Sequence, residues 1–166
     1  MKTGKYFIFG IIAITTLALL GVIYFGSKEN NVPKVDANTK TELSVDSDTF
    51  DWGEIDINSG KVSKTFIIEN KGAETLKLYN IQTSCMCTTA QIKVGPDMSK
   101  KFGMHESTSS VVEVKPDEKA ELIVEFDPAF HGPSGIGSIS RIVTMSTNDT
   151  NHSTLSFRLT ADVVKK

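Results

Sequence analysis

The chain has 166 residues, a length that allows one ordinary domain with a packed core and a further short segment. Its 18 basic and 20 acidic side chains leave a net charge of −2. The chain therefore lacks the basic surface that binding to a nucleic-acid backbone needs.

The first predicted element is an apolar helix near the N-terminus. Residues 6–25 carry no charge and are mostly aliphatic or aromatic, which gives a run of about 20 residues, or about 30 Å as a helix, enough to cross a hydrocarbon core. Lys2 and Lys5 precede the run, as in a secretory signal, but the run exceeds a signal core and no A-x-A-like cleavage site follows. The sequence predicts an uncleaved signal-anchor transmembrane helix over residues 1–26, with a cleaved signal as the other interpretation.

The orientation and the next segment follow from charge and composition. Three lysines beyond the run, Lys28, Lys34 and Lys40, offset the basic residues before it, so the orientation is inferred from the resemblance to a signal. This inference places the remaining chain at the cell membrane, on the extracytoplasmic side. Residues 27–42 are polar, contain a proline and show no periodicity, which predicts a flexible linker.

Residues 43–166 are predicted to form one all-β domain. Short runs in which apolar and polar residues alternate are separated by Gly, Asn, Asp and Pro, and about seven strands are expected. The clearest runs are LSVDSDTFDWGEI (43–55), KTFIIEN (64–70), TLKLYNI (75–81), AELIVEFDP (120–128), SISRIVTMST (138–147) and STLSFRLTADV (153–163). This pattern indicates an antiparallel β-sandwich, with a small barrel as the alternative. The long polar segment between residues 94 and 111 is predicted to be a loop, and loops of this length are commonly functional or disordered.

These runs, together with the motif TSCMCTTA (83–90), resemble a family of bacterial Ig-like domains of unknown function. The resemblance covers residues 49–164, and its most specific element is Ser-Cys-x-Cys-Thr after the third strand. In this chain Pro116-Asp117 replaces the usual Pro-Gly turn before the next long strand. The resemblance implies an Ig-like sandwich similar to major sperm protein-like domains and implies no activity.

The plan of the chain also resembles membrane-anchored factors that deliver copper to cytochrome c oxidase. Those factors combine one N-terminal anchor with an Ig-like domain that carries Cu(I) on a Cys-x-Cys pair, and Cys85 and Cys87 match that pair. Met86 and Thr88 stand where those factors usually carry aromatic residues. The resemblance is one of architecture, and it implies delivery of metal to, or from, an envelope protein.

The two cysteines are the candidate chemical site. On a strand, Cys85 and Cys87 would point to one face with their Cα atoms about 6.6 Å apart, at the long end of what a disulfide accepts. A disulfide there would also close too small a loop to constrain the unfolded chain much. Two thiolates on one face suit a soft metal, and thiolate and thioether ligands favour Cu(I).

The sequence offers further ligands in two loops. The predicted set is Cys85, Cys87, Met104 and His105, because Gly103 allows the backbone to approach the pair. The reserve ligands are Met98 and His131, although His131 precedes a glycine and also fits an ordinary turn residue. With both histidines the set could instead bind Zn²⁺ in a tetrahedral site.

The sequence thus favours a membrane-anchored extracytoplasmic Ig-like domain that binds Cu(I), as a chaperone or sequestering module. The alternative is a non-enzymatic envelope scaffold or protein-interaction domain whose cysteines are inert. A third possibility is a redox-active dithiol. Sequence motifs of hydrolases, nucleotide-binding loops and thioredoxin-like sites are missing from the chain, so an enzyme is not expected.

Overall fold

The computed structural model describes residues 3–26, 34–105 and 110–166. Contacts within the chain group it into two units, Met1–Asn30 and Asn31–Lys166. Part of the predicted linker, residues 27–33, and part of the predicted loop, residues 106–109, lie outside the described residues.

The first unit is an α-helix, α1, over Thr3–Gly26, so the predicted helix is confirmed. The hydroxyl groups of Thr15 and Thr16 are satisfied within the helix, since their Oγ1 atoms donate to carbonyl oxygens one turn earlier at 3.0 and 2.8 Å. Across the described ranges, however, no helix is both long enough and apolar enough to span a membrane. The transmembrane part of the prediction is not supported for that reason.

The second unit is a sandwich of two five-stranded sheets. In one sheet the strand order is β1-β3-β8-β5-β6, and in the other it is β2-β10-β9-β4-β7. The strands are β1 Leu43–Val45, β2 Thr49–Asp56, β3 Val62–Asn70, β4 Leu76–Thr83, β5 Thr88–Val94, β6 Asp97–Met98, β7 Val111–Val114, β8 Lys119–Phe126, β9 Gly137–Thr147 and β10 Thr154–Val164. The all-β sandwich predicted from the sequence is confirmed.

The described residues form ten strands, more than the seven or so predicted from the sequence. The strands β1, β6 and β7 have three, two and four residues, too few to show a period of two. The first predicted strand is in fact two strands, because Asp46 Oδ1 accepts hydrogen bonds from the N–H groups of Ser47 and Ile67 at 2.9 and 2.8 Å and ends β1. The predicted loop also contains β6, and beyond it Phe102 pairs with Ala90 and is fully buried.

The prediction of a purely antiparallel sandwich is also corrected. Among the described strands, β2 and β10 run parallel, with a register shift between Thr160 and Asp162. Parallel neighbours need a long connection between them, and here that connection contains β3 to β9. A sequence pattern of alternating residues does not indicate which strands pair, so this feature could not be read from the sequence.

Both sheets bury the faces that the alternation predicts. The side chains of Phe66, Ile68, Leu76, Leu78, Leu122, Val124, Phe126, Leu155, Phe157 and Leu159 are all buried. Phe66 of one sheet meets Phe157 of the other with ring centroids 5.0 Å apart. On the edge strand β2, Trp52 stacks on Phe126, with centroids 5.8 Å apart. The core is therefore continuous from one sheet to the other.

Residues at the end of the predicted linker are fixed to the sandwich. Asn38 N–H donates to Asn148 O at 2.7 Å, and the side chain of Thr41 is buried. Gly72 lies so close to this segment that a Cβ atom there would come within 2.5 Å of backbone atoms of Lys40 and Glu42. Only glycine fits this approach between the two segments.

Asp149 holds the same region through a buried carboxylate. Its Oδ2 accepts a hydrogen bond from Leu43 N–H at 3.1 Å and lies 3.3 Å from His152 Nδ1, while its Oδ1 accepts from Asn151 N–H at 2.8 Å. Burial alone raises the pKa of Asp149, and these hydrogen bonds outweigh it, so the net pKa lies below its ordinary value of 3.8. The ionised carboxylate therefore stabilises the fold.

Replacing Asp149 with asparagine should lower the free energy of unfolding at pH 7 by about 1–3 kcal/mol, because buried donors lose a charged acceptor. The carboxylate contributes its full stability at pH values well above its ordinary pKa of 3.8 and loses it as the pH falls through the lowered folded pKa. Urea unfolding at pH 7 and pH 3 should show a smaller difference for Asp149→Asn than for the wild type. The exposed carboxylate of Asp97 provides the control, and an equal effect of Asp97→Asn would contradict this role.

Candidate thiol site

The two cysteines lie in a turn and not on a strand. The turn occupies residues 84–87 between β4 and β5, where the chain crosses from one sheet to the other. Cys85 O accepts a hydrogen bond from Thr88 N–H at 3.1 Å, which closes a β-turn. The turn shortens the Cα–Cα distance between Cys85 and Cys87 to 5.3 Å. The expected strand geometry was wrong because the change of sheet requires a sharp reversal.

Tertiary hydrogen bonds fix this turn from several directions. The buried hydroxyl of Thr83 lies 3.0 Å from both Cys85 O and Thr88 O. Ser84 exchanges two hydrogen bonds with Ile142 of β9, both of 2.9 Å. Asp127 N–H donates to Cys87 O at 2.9 Å. The backbone around the two sulfurs is thus held by both sheets.

Cys85 and Cys87 are joined by a disulfide bond. Their Cα separation of 5.3 Å lies inside the range usual for disulfides, about 4.4–6.8 Å. The two sulfurs differ in exposure, since Cys85 is half-buried and Cys87 is only 3% exposed. Solvent therefore reaches the pair from the side of Cys85.

His131 reaches the pair from the loop between β8 and β9. This loop, residues 127–136, includes a short 3₁₀ turn over Gly132–Gly135 that begins directly after His131. The Nε2 atom of His131 lies 3.4 Å from Cys85 Sγ. The ligand atoms of Cys85, Cys87 and His131 lie within 4.8 Å of one another, which would place two sulfurs and one imidazole around a single ion once the disulfide is reduced.

Arg141 reaches the same pair from β9 and contacts the other sulfur. Its Nε–H donates to Cys87 Sγ at 3.1 Å, and the hydroxyl of Thr88 lies 3.6 Å from that sulfur. The guanidinium lies over the ring of Phe126, 5.6 Å from its centroid. Burial lowers the pKa of Arg141 from its ordinary value, but an arginine remains charged. A positive charge next to Cys87 favours its thiolate over its thiol.

The structure brings together only part of the predicted ligand set. It unites both cysteines with the reserve ligand His131, whereas His105 is not in this group of described residues. Met104, 41% exposed, follows Gly103, whose carbonyl accepts a hydrogen bond from Thr83 N–H at 3.3 Å. That segment passes beside the turn, so a role for Met104 stays a prediction.

Met98 lies on β6, next to the end of β5 that is distant from the cysteines. It pairs with Lys93 of β5, five residues beyond Thr88 and so about 17 Å along the strand. Arg141 and Thr83 were not recognised in the sequence. Arg141 is 54 residues from Cys87, and nothing in its strand pattern connects it with a thiol.

Residues 41–160 match the model of a family described as HYDIN/CFA65/VesB-like, Ig-like domain. The chain belongs to this family. The match spans both sheets and the turn, so the Ig-like fold predicted from the sequence is confirmed. No curated protein matches the chain.

Three solved structures resemble the chain at low sequence identity. A protein of unknown function from Porphyromonas gingivalis W83 has a TM-score of 0.57 and 20% identity, over 80% of this chain and 51% of that one. A PapD-like domain of human CEP192 has a TM-score of 0.49 and 14% identity, over 84% and 97%. The VesB protease of Vibrio cholerae has a TM-score of 0.41 and 17% identity, over 85% and 35%. This chain thus spans about half of the first protein, and the likeness to that protein concerns the fold alone.

The hydroxyl of Thr83 should be needed to hold the cysteine turn. Thr83→Val keeps the shape and removes the donor to two carbonyl groups, and we expect a loss of about 1 kcal/mol in the free energy of unfolding. Hydrogen exchange should also quicken at the amide of Thr88. The matched control is Thr89→Val, because Thr89 is the neighbour of Thr88 in β5 and faces the opposite side of the strand. Equal exchange rates at the Thr88 amide in the two variants would refute this role.

Proposed function

We propose that the Ig-like domain is a protein-interaction module outside the cytoplasm, with its contact surface at the cysteine end of the sandwich. Membership of an Ig-like family supports a module of this kind. The surface, called here the loop end, consists of residues 84–87 and 127–136, the two loops that meet where Cys85 and His131 come into contact.

Three large apolar side chains exposed on the loop end carry this proposal. Met86 is 58% exposed, Phe130 47% and Ile136 45%, whereas full burial of a side chain of this kind contributes about 1.5–3 kcal/mol. Single exposed apolar residues are ordinary, whereas several on adjoining loops are typical of a protein-binding surface. The rigid turn and the 3₁₀ turn present them with little loss of conformational freedom on binding.

Two features support a location outside the cytoplasm. Lys2 and Lys5 precede a long uncharged run, as in sequences that direct export. The Cys85–Cys87 disulfide is also a bond that persists in oxidising compartments and is rare in the cytosol.

A photo-crosslinking amino acid at Met86 should give one discrete protein adduct in intact cells, in the extracytoplasmic fraction. A second change, Phe130→Asp, should abolish that adduct, because it places a charge in the apolar contact surface. The same crosslinker at Met98, exposed but distant from the loop end, is the control. Adducts of equal yield at both positions, or one that survives Phe130→Asp, would show that the loop end does not bind a partner.

A second candidate function is binding of a soft metal ion. The proximity of Cys85, Cys87 and His131 favours it, because two thiolates and an imidazole suit Cu(I), and with a water molecule the same three could hold Zn²⁺. This site requires the reduced pair. The positive charge of Arg141 would balance the excess negative charge of two thiolates around a monovalent ion.

The reduced chain, titrated with Cu(I) against a chromophoric chelator, should bind one equivalent. The double change Cys85→Ser with Cys87→Ser should abolish binding, and His131→Ala should weaken it about tenfold or more through the loss of a ligand. His105→Ala is the matched control and separates the ligand set in the structure from the one predicted from the sequence. Affinity unaffected by the cysteine changes would exclude this function.

A further inference from the structure

The two sulfurs of the disulfide lie in chemically different environments. Cys85 Sγ lies on the accessible side, 3.4 Å from His131 Nε2, and accepts a hydrogen bond from Cys87 N–H at 3.4 Å. Cys87 Sγ is buried, and both Arg141 and Thr88 can donate hydrogen bonds to it. The disulfide therefore has one sulfur open to attack and one placed to accept negative charge.

We infer that Cys85 and Cys87 form a thiol–disulfide exchange site, in which Cys85 is the attacked sulfur and Cys87 is the leaving sulfur. Exchange is faster when the leaving thiolate is stabilised and when the attacked sulfur is accessible. The structure separates these two requirements between the two cysteines. This function goes beyond protein interaction, and although it uses the cysteines of the metal candidate it needs no metal.

The leaving thiolate would be stabilised by a donor that is already in place. Arg141 is positioned by its stacking on Phe126 and by donation from its Nη1 to Ser140 O at 2.9 Å. Its Nε–H therefore points at Cys87 Sγ before the bond breaks, and no reorganisation is needed to meet the developing charge. Thr88, fully buried, adds a hydroxyl donor to the same sulfur.

The reductant is a thiol, either a small molecule or a cysteine of a polypeptide. A thiolate attacks Cys85 Sγ and forms a mixed disulfide, while the Cys85–Cys87 bond breaks and its electron pair passes to Cys87 Sγ. A second thiolate attacks the partner's sulfur, releases Cys85 as a thiolate and leaves as an external disulfide. Two external thiols lose two electrons in total, and the two new thiolates take up the protons that those thiols released.

The reaction can run in the opposite direction with an external disulfide as oxidant. The accessible Cys85 thiolate then attacks that disulfide, and Cys87 resolves the mixed disulfide by attacking Cys85 Sγ. The β-turn keeps the two residues close enough for this second step, with their Cα atoms 5.3 Å apart. Met86 follows Cys85 in the chain, and the ring of Phe130 lies 5.0 Å from that of His131, the residue that contacts Cys85. Both side chains are exposed and offer an apolar contact to a polypeptide that carries the reacting cysteine.

The test follows reduction of the purified full chain by glutathione in a buffer that chelates copper and zinc. Acid quenching, alkylation and peptide mass spectrometry identify the sulfur that carries glutathione at early times. We expect the adduct on Cys85 and the alkyl group on Cys87. Adducts on Cys87, on both cysteines equally, or on neither would overturn the inference.

The rate of reduction tests the role of the arginine. Arg141→Gln should slow the reaction roughly fivefold to tenfold, because the leaving thiolate loses its charged donor. The matched control is Arg158→Gln, since Arg158 lies on the neighbouring strand and donates to Ser140 Oγ at 3.1 Å. Equal rates in the two variants would overturn the assignment of Cys87 as the stabilised leaving sulfur.

If Arg141→Gln does not fold, the wild-type chain still decides the matter. Its reduction should be several-fold faster than that of an oxidised peptide of residues 83–90, which has the same disulfide without Arg141 or His131. A rate equal to or below that of the peptide would overturn the inference. A cysteine-containing apolar peptide as reductant distinguishes the two sources: a rate above that of glutathione assigns a polypeptide partner, and an equal rate assigns a small thiol.

Failure of this site is distinguishable from failure of the other proposals. Exchange is measured without metal, whereas Cu(I) binding is measured on the reduced chain without a thiol partner. The crosslinking test at the loop end depends on neither sulfur. The three experiments therefore report on separate properties of the same surface.

Discussion

Burial of alternate side chains between two five-stranded sheets is the constraint on which the rest of the structure depends. The chain must change sheets to build both layers, and each change exposes backbone groups that the strand ladders no longer satisfy. At residues 84–87 those groups are satisfied by Thr83, Ile142 and Asp127 instead. The cysteine turn is rigid because the sandwich requires a well-bonded crossing there.

Most of the long strands and their buried faces could be predicted from the alternation of apolar and polar residues. This alternation placed Phe66, Ile68, Leu76 and Leu78 on buried faces because each of their strands has one wet and one dry side. The pattern missed the turn at the cysteines, since TSCMCTTA lacks the glycine, proline or asparagine that usually signals a turn. The reversal there is imposed by partners distant in sequence, and such partners leave no local signal.

Only the part of the candidate site that is close in sequence could be predicted. The two cysteines were evident from their spacing, whereas His131 and Arg141 are brought to them by the tertiary fold across 46 and 54 residues. His105, closer in sequence, was favoured over His131 because flanking glycine and methionine residues suggested a ligand loop. Register, which decides such neighbours, depends on the packing of the whole sandwich.

Metal binding and thiol exchange would use the same two sulfurs in different states. A disulfide has no thiolate to offer a metal, and a metal-bound pair has no free thiolate to attack a disulfide. The oxidation state of Cys85 and Cys87 therefore determines which chemistry is open to the loop end. Arg141 suits both, since a buried thiolate next to a fixed positive charge is stabilised with or without an ion.

The parallel pairing of β2 with β10 has a consequence for the order in which the domain can assemble. β2 is an edge strand, and its neighbour in the sheet is β10, more than a hundred positions later in the chain. A ribosome or a translocation channel releases the chain from its N-terminal side, so the first long strand must wait for almost the whole domain to emerge. Folding of the sandwich is therefore completed after synthesis or export of residues 154–164, and a chain cut short of them would leave the hydrogen-bonding groups of two strands open to other proteins.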